Sequence, residues 1–199
     1  MTYAILIITV LVSFYAFKRY DIVNRLLFRP YLIKQTGQYD RFLTSGFIHG
    51  DTVHLLFNMI TFYFFGGTAE HIFKQFFGEA GTIYFGLFYL LGIIVANIPT
   101  FIKEMNNPNY GALGASGAVS AVLFFTILFS PTSTIYVYFF PIKAWLFGIL
   151  YIAYTIYSSQ NRRDNINHDA HLWGAVFGII VGCLIDTSAP ARFIHLILG

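Results

Sequence analysis

Long apolar stretches alternate with short polar segments along this chain, which is the pattern of a helical membrane protein. A helix needs about 20 apolar residues to cross the hydrocarbon core of a bilayer. Six stretches are candidate spans, at residues 4–17, 52–68, 80–102, 111–129, 135–157 and 170–185, of which the first is rather short. Little chain is left over, so we expect residues 1–199 to form a single all-α membrane domain.

The segment between the first two spans, residues 18–50, has a different character. Its basic residues alternate with bulky apolar ones; they are Lys18, Arg19, Arg25, Arg29, Lys34 and Arg41. The segment is too charged to span a bilayer, and this mixture suits chain that lies in the membrane interface. We therefore expect a long first loop that is partly embedded in the membrane.

Composition supports the assignment to a membrane. The chain is 57% hydrophobic and only 11% charged, with a mean hydropathy of +0.65. A soluble domain is nearer half apolar and one quarter charged. The net charge of +3 is too small to indicate a nucleic acid partner, whereas positive charge beside a membrane meets lipid headgroups. With Cys183 as the single cysteine, no internal disulfide can form.

The fourth span opens with small residues around a serine, in the order Gly114, Ala115, Ser116, Gly117. Small side chains let a neighbouring membrane helix approach closely, so Ser116 can be packing filler. It can also be a nucleophile if another helix brings a base to it. A single Gly-x-Ser-Gly sequence is more often packing, so other residues must decide.

The sixth span offers a matching face and a candidate base. Gly174 and Gly178 are four residues apart, which makes a smooth helix face, and His171 lies just before them. If this face packs on the small residues of the fourth span, Ser116 and His171 come within hydrogen-bond reach. Both lie in the first turns of spans that enter the bilayer from the same side, so their depths match.

This pair is what a serine hydrolase requires. An imidazole takes the serine proton and later protonates the leaving amine, while hydrogen-bond donors stabilise the oxyanion. His54 and Asn58 in the second span share one helix face and are expensive in hydrocarbon, so they should point inward. With the backbone N–H of Ser116, they are the candidate oxyanion donors.

Taken together, these motifs resemble those of the rhomboid intramembrane serine proteases, in the same order along the chain. The matching residues are Arg41 in the first loop, His49, His54-Leu55-Leu56-Phe57-Asn58, residues 66–70 ending in Glu70, Gly114-Ala115-Ser116-Gly117, and Ala170-His171 with Gly174 and Gly178. The similarity covers about residues 41–186.

The resemblance implies a six-helix rhomboid-like bundle that cleaves transmembrane segments of other membrane proteins, without a metal or a cofactor. It implies Ser116 as nucleophile, His171 as general base, and His54 and Asn58 as oxyanion donors. It also implies a fifth helix that acts as a lateral gate. The location implied is the cell membrane, with the active site opening to the extracytoplasmic side.

Two positions depart from the family pattern. The family often has tryptophan before the arginine of the first loop, where this chain has Asp40. Many members also carry an aromatic residue four positions after the serine, which stacks on the catalytic histidine. Here that position is Ser120, so we expect His171 to be held in another way.

Charge distribution disagrees with the implied orientation. Nine basic residues fall on the side predicted to be extracytoplasmic and three on the other, whereas cytoplasmic loops usually carry the excess. The nine are Lys18, Arg19, Arg25, Arg29, Lys34, Arg41, Lys103, Arg162 and Arg163, and the three are Lys74, Lys143 and Arg192.

Two other functions compete with proteolysis. A catalytically inactive relative would bind transmembrane segments without cutting them; such relatives typically lack the serine or the histidine, and this chain has both. A small transporter is the second alternative. Transporters often show paired repeats and charges near the midplane, whereas here the sequence shows no obvious repeat and the charges cluster at span ends.

Overall fold

Helices make up most of the chain in the computed structural model, which describes residues 1–137, 139–161 and 166–199. The helices are α1 Thr2–Ala16, α2 Tyr20–Leu26, α3 Pro30–Thr36, α4 Arg41–Thr44, α5 Thr52–Phe77, α6 Gly81–Glu104, α7 Ser116–Phe129, α8 Ala144–Asn161, α9 His168–Ile185 and α10 Ala189–Leu198. Short 3₁₀ turns occupy Ser45–Phe47 and Gly78–Ala80. The expectation of a mainly helical chain is confirmed.

Two helical stretches among the described residues are long and apolar enough to cross a bilayer. One is Thr52–Glu104, which comprises α5, α6 and the turn between them, and the other is α9. The helices α1, α7 and α10 are apolar but shorter.

The predicted fifth span, residues 135–157, is wrong at its start. Thr134–Val137 (β1) and Phe140–Lys143 (β2) pair as antiparallel strands, with Ile135 opposite Ile142. β-Branched and aromatic side chains favour strands, and Pro141 lacks the N–H that a helix interior needs. As a result α8 begins only at Ala144 and continues to Asn161.

The predicted fourth span, residues 111–129, also begins too early, because residues 111–115 form a loop. Gly114 has a φ of +117°, a conformation that residues with a β-carbon rarely adopt. Helix α7 therefore starts at Ser116, which makes the candidate nucleophile the first residue of its helix.

The other predicted spans agree with the helices to within two residues at each end, with one exception: α5 continues to Phe77, beyond the predicted end at residue 68. Helix α10 was not predicted. Part of the predicted polar loop at 158–167 is helical as the end of α8. Residues 162–165 of that loop, including Arg162, Arg163 and Asp164, lie outside the described residues.

Helix α7 is the centre of the bundle, with every residue from Gly117 to Leu128 buried. It packs against α5, α6 and α9, while α1 packs on α5 and α8 packs on α7, α9 and the strand pair. A helix surrounded in this way needs no polar face, which explains why its sequence carries no charged residue.

The first loop folds into α2, α3 and α4, and Arg41 ties it together. Arg41 is 3% exposed, and its guanidinium donates to the carbonyls of Asn24 and Leu27, at 2.9 and 2.8 Å. Asp40 forms an ion pair with Arg25 at 2.7 Å. The position where the family often has tryptophan thus carries an ion pair within the loop.

Glu70 joins α5 to α1. Its carboxylate accepts hydrogen bonds from the backbone N–H and the hydroxyl of Thr2, at 2.8 and 2.7 Å. The motif residue Glu70 therefore has a structural role, at a distance from Ser116 along the bundle.

Candidate active site

The loop that precedes Ser116 is fastened to the first loop at three places. Ala112 and Phe28 exchange two backbone hydrogen bonds of 3.0 Å. The N–H of Gly114 donates to the carbonyl of Ser45 at 2.9 Å, and the N–H of Ala115 donates to Nε2 of His49 at 3.3 Å. These bonds fix the position at which α7 begins, and with it the half-buried Ser116.

His49 is a buried structural residue, only 1% exposed. Because its Nε2 accepts from Ala115, the ring proton lies on Nδ1, which donates to the hydroxyl oxygen of Ser13 at 2.9 Å. The Ser13 hydroxyl in turn donates to the carbonyl of Phe47 at 3.0 Å. Every polar atom of this chain of bonds is satisfied only when the imidazole is neutral. Burial, and secondly the nearby His54, lower the pKa of His49 to about 3.

Because His49 is neutral in the folded protein, we expect acid to lower the free energy of unfolding. Between the folded pKa and the ordinary value near 6.5, the unfolded chain binds a proton that the folded chain does not, so stability falls as pH falls. From pH 6.5 to pH 5 this amounts to about 2 kcal/mol. We expect His49→Gln, whose amide can both donate and accept, to show a shallower loss of unfolding free energy in that range.

The measurement is detergent-induced unfolding at a series of pH values. The matched control is His195→Gln, at an exposed position of α10, which should keep the wild-type slope. An unchanged slope in His49→Gln would show that His49 is not the group that titrates.

His54 lies directly against the loop before Ser116. A β-carbon on Gly114 would stand 2.7 Å from Cε1 of His54, so glycine is required for this approach. The His54 ring also meets the His49 ring edge-on, with centroids 5.0 Å apart. Asn58, one turn further along α5, is 7% exposed and donates one amide hydrogen to the His54 carbonyl at 3.0 Å. One N–H of Asn58 is thereby used within its own helix.

Helices α7 and α9 touch backbone to backbone. A β-carbon on Gly174 would overlap the carbonyl oxygen of Gly117, and a β-carbon on Gly178 would overlap that of Ala121. Gly117 in turn lies against Ala170, whose carbonyl oxygen is 3.4 Å from where a Gly117 β-carbon would stand. The smooth faces predicted from the glycine spacing do pack together, immediately beside Ser116.

Hydrogen bonds and an ion pair hold the first turn of α9 against α6, and the sequence analysis did not identify the residues that form them. Asn167 caps α9 by accepting from the N–H of Ala170 at 3.1 Å, and it accepts from the hydroxyl of Thr100 at 3.0 Å. Its amide also donates to Asn97 at 3.3 Å. Asp169 binds Lys103 at 2.7 Å. A polar Asn97 and Thr100 within an apolar span were the available signal for this contact.

His171 lies in this fixed first turn and is half-buried. The ring of Tyr151 from α8 stacks on its imidazole, with centroids 6.2 Å apart and planes at 19°. The Tyr151 hydroxyl is 2.6 Å from Oγ of Ser120. Sequence reasoning also missed Tyr151, although Ser120 had indicated that the histidine needs another support.

A small cavity of about 10 Å³ borders Ser116. Its lining includes the polar residues Ser45, Asn97 and Asn167. A polar cavity of this size has room for about one water molecule.

The structure therefore collects the predicted residues at one end of the bundle. Ser116 begins α7, His171 is in the first turn of α9, and the two helices are in contact beside both of them. His54 reaches the same place from α5 through Gly114. Such an arrangement offers a hydroxyl, an imidazole and nearby hydrogen-bond donors at the end of an apolar helix bundle.

These features define a helical membrane protein with a polar cluster at one end of its bundle. Residues 36–187 match the Rhomboid domain, and the chain belongs to the rhomboid family. It is 34% identical over 157 residues to RHOMBOID-like protein 12, mitochondrial, of Arabidopsis thaliana. The match covers 73% of this chain and 46% of the relative, so the chain spans about half of that protein's length.

Proposed function

We propose that this protein is an intramembrane serine endopeptidase that cuts transmembrane segments of other membrane proteins with Ser116 and His171. The observation that carries the proposal is the backbone contact of α7 and α9 through Gly117, Gly174 and Gly178. It brings a helix-initiating serine and a first-turn histidine to the same end of the same helix pair.

In the proposed reaction, Oγ of Ser116 attacks the scissile carbonyl while the imidazole of His171 takes its proton. The resulting oxyanion receives hydrogen bonds from the N–H of Ser116, which starts a helix and has no acceptor within it. His54 and Asn58 supply side-chain donors. Collapse expels the amine, which takes the proton from His171. Water then hydrolyses the acyl-enzyme by the reverse proton path, and the cavity beside Ser116 has room for it.

The membrane arrangement is part of the proposal. The six spanning helices are α1, α5, α6, α7, α8 and α9, and the first loop lies partly in the membrane. The named relative is mitochondrial, whereas the family resemblance implies the cell membrane. We therefore propose a lipid bilayer as the site of action, and localisation experiments identify which membrane it is. In the proposed orientation, the N-terminus lies on one side of the membrane and the Ser116 end of the bundle opens to the opposite side.

The oxyanion assignment predicts a specific kinetic effect. His54→Ala and Asn58→Ala should each lower kcat by roughly 10²- to 10³-fold, because a preorganised donor acts on the transition state. KM should change little, since the substrate carbonyl carries no full charge. The control is His71→Ala, an exposed histidine on the same helix. A rise in KM at constant kcat would instead assign these residues to substrate binding.

The function is tested by cleavage of a single-span protein co-reconstituted in liposomes. Wild type should cut it, Ser116→Ala should not, and Ser133→Ala, at an exposed serine, should cut as wild type does. Cleavage that persists in Ser116→Ala would overturn the proposal. Binding of the substrate by folded wild type without cleavage would establish the inactive, segment-binding alternative.

A further inference from the structure

Helix α8 is the peripheral member of the bundle. Much of its surface is exposed, including large side chains such as Leu150, Tyr154 and Tyr157, and it packs chiefly on α9. Tyr151 is the residue through which this outer helix reaches the histidine of α9.

Three helices meet at the ring of Tyr151. Its own helix contributes Phe147 at 6.0 Å between ring centroids, and α7 contributes Phe124 at 5.4 Å. From α9, the imidazole of His171 lies nearly parallel to the Tyr151 ring, at 6.2 Å and 19°. These neighbours confine the tyrosine ring, which can therefore confine the imidazole.

The hydroxyl end of Tyr151 is fixed as well. It shares a 2.6 Å hydrogen bond with Ser120, which is 2% exposed. Because serine is small, the Tyr151 hydroxyl can reach Ser120 of α7 from α8. A bulky side chain at position 120 would occupy the position of that hydroxyl.

We propose that Tyr151 is a positioning residue for His171, so that the imidazole is held for reaction only while α8 lies against α7 and α9. This inference rests on the proposed function, since positioning matters when His171 acts as the base. A half-buried imidazole can rotate about its side-chain torsions, and a nearly parallel ring beside it restricts those rotations. A misplacement of about 1 Å at a reacting group can cost about 10²-fold in rate.

Two further contacts hold α8 near the same turn of α9. The ring of Tyr154 meets His168 edge-on at 5.6 Å, and the hydroxyl of Ser159 hydrogen-bonds to Asp169. These contacts keep the Ser116 end of α8 docked. Tyr151 differs in that it stacks on His171 and also hydrogen-bonds to α7. The effect on His171 should therefore be specific to Tyr151.

The test compares Tyr151→Leu, which removes the aromatic face, with Tyr151→Phe, which retains it. In the liposome assay we expect Tyr151→Leu to lower kcat by roughly 10- to 100-fold with KM unchanged. Tyr151→Phe and Ser120→Ala lose only the hydroxyl hydrogen bond, so their kcat should fall by about tenfold or less. Leu150→Ala, at an exposed position of the same helix, is the control and should equal wild type.

A second readout does not depend on activity. In NMR spectra of protein labelled at histidine Cε1, the His171 signal is assigned by its loss in His171→Gln. Stacking on Tyr151 should give this signal a ring-current shift that disappears in Tyr151→Leu and persists in Tyr151→Phe. If Tyr151→Leu does not fold, Tyr151→Met takes its place, because an unbranched side chain fills irregular core space.

The outcomes separate the two claims. Folded wild type that does not cleave the reconstituted substrate would refute the proposed function, while the NMR shift would still test the contact between Tyr151 and His171. Active wild type with an equally active, folded Tyr151→Leu would overturn the positioning role. Loss of activity in Tyr151→Leu with an unmoved His171 signal would also overturn it, because the effect would then be structural.

Discussion

Gly178→Ala and Gly174→Ala are expected to destabilise the protein by about 3 kcal/mol or more each and to abolish its activity. Overpacking usually costs about 1–3 kcal/mol because neighbouring side chains can move aside. Here the obstacle is the backbone of α7 itself, at the carbonyls of Ala121 and Gly117. The two helices must separate, which also separates Ser116 from His171.

Unfolding midpoints in mixed detergent measure this effect. Gly67→Ala is the matched control, because it is a helical glycine of α5 whose added β-carbon meets nothing within 4 Å. We expect that variant to unfold like wild type or slightly later, since alanine favours helices. Wild-type stability and activity in Gly178→Ala would show that α7 and α9 are not in backbone contact.

His171→Ala is expected to lower the cleavage rate by at least about 10³-fold while the protein stays folded. The imidazole is half-buried and lies in the first turn of α9, where Asn167 and Asp169 hold the helix against α6. The unfolding midpoint of this variant should therefore shift much less than the midpoint of Gly178→Ala.

The comparison variant is His195→Ala, on the exposed side of α10, which should cleave at the wild-type rate. Retained cleavage by folded His171→Ala would show that His171 is not the general base. Loss of both fold and activity would make His171 a structural residue. The two glycine variants and His171→Ala thus separate the scaffold of the site from its chemistry.

The sequence could predict the contact between α7 and α9 because its signals are local. Glycines four residues apart mark a close helix contact, and Ser116 and His171 stand at fixed offsets from them. Hydropathy likewise predicted the bounds of α1, α6 and α9 to within two residues. What hydropathy does not distinguish is an apolar strand from an apolar helix, which is why the Thr134–Val137 and Phe140–Lys143 strands were read as part of a span.

The residues that were missed act between helices that are far apart along the chain. Asn97 and Thr100 bind Asn167 across some 70 positions, and nothing near any one of them indicates its partner. Tyr151 is one aromatic residue among many in an aromatic-rich chain. Only the structure shows that it hydrogen-bonds to Ser120.

The most direct test of the central claim is covalent labelling of the folded wild-type protein with a fluorophosphonate, followed by mass spectrometry of its peptides. The account predicts one adduct, on Ser116, and its loss in both Ser116→Ala and His171→Ala. An intact, folded protein that acquires no adduct, or one that is modified equally without His171, would contradict it.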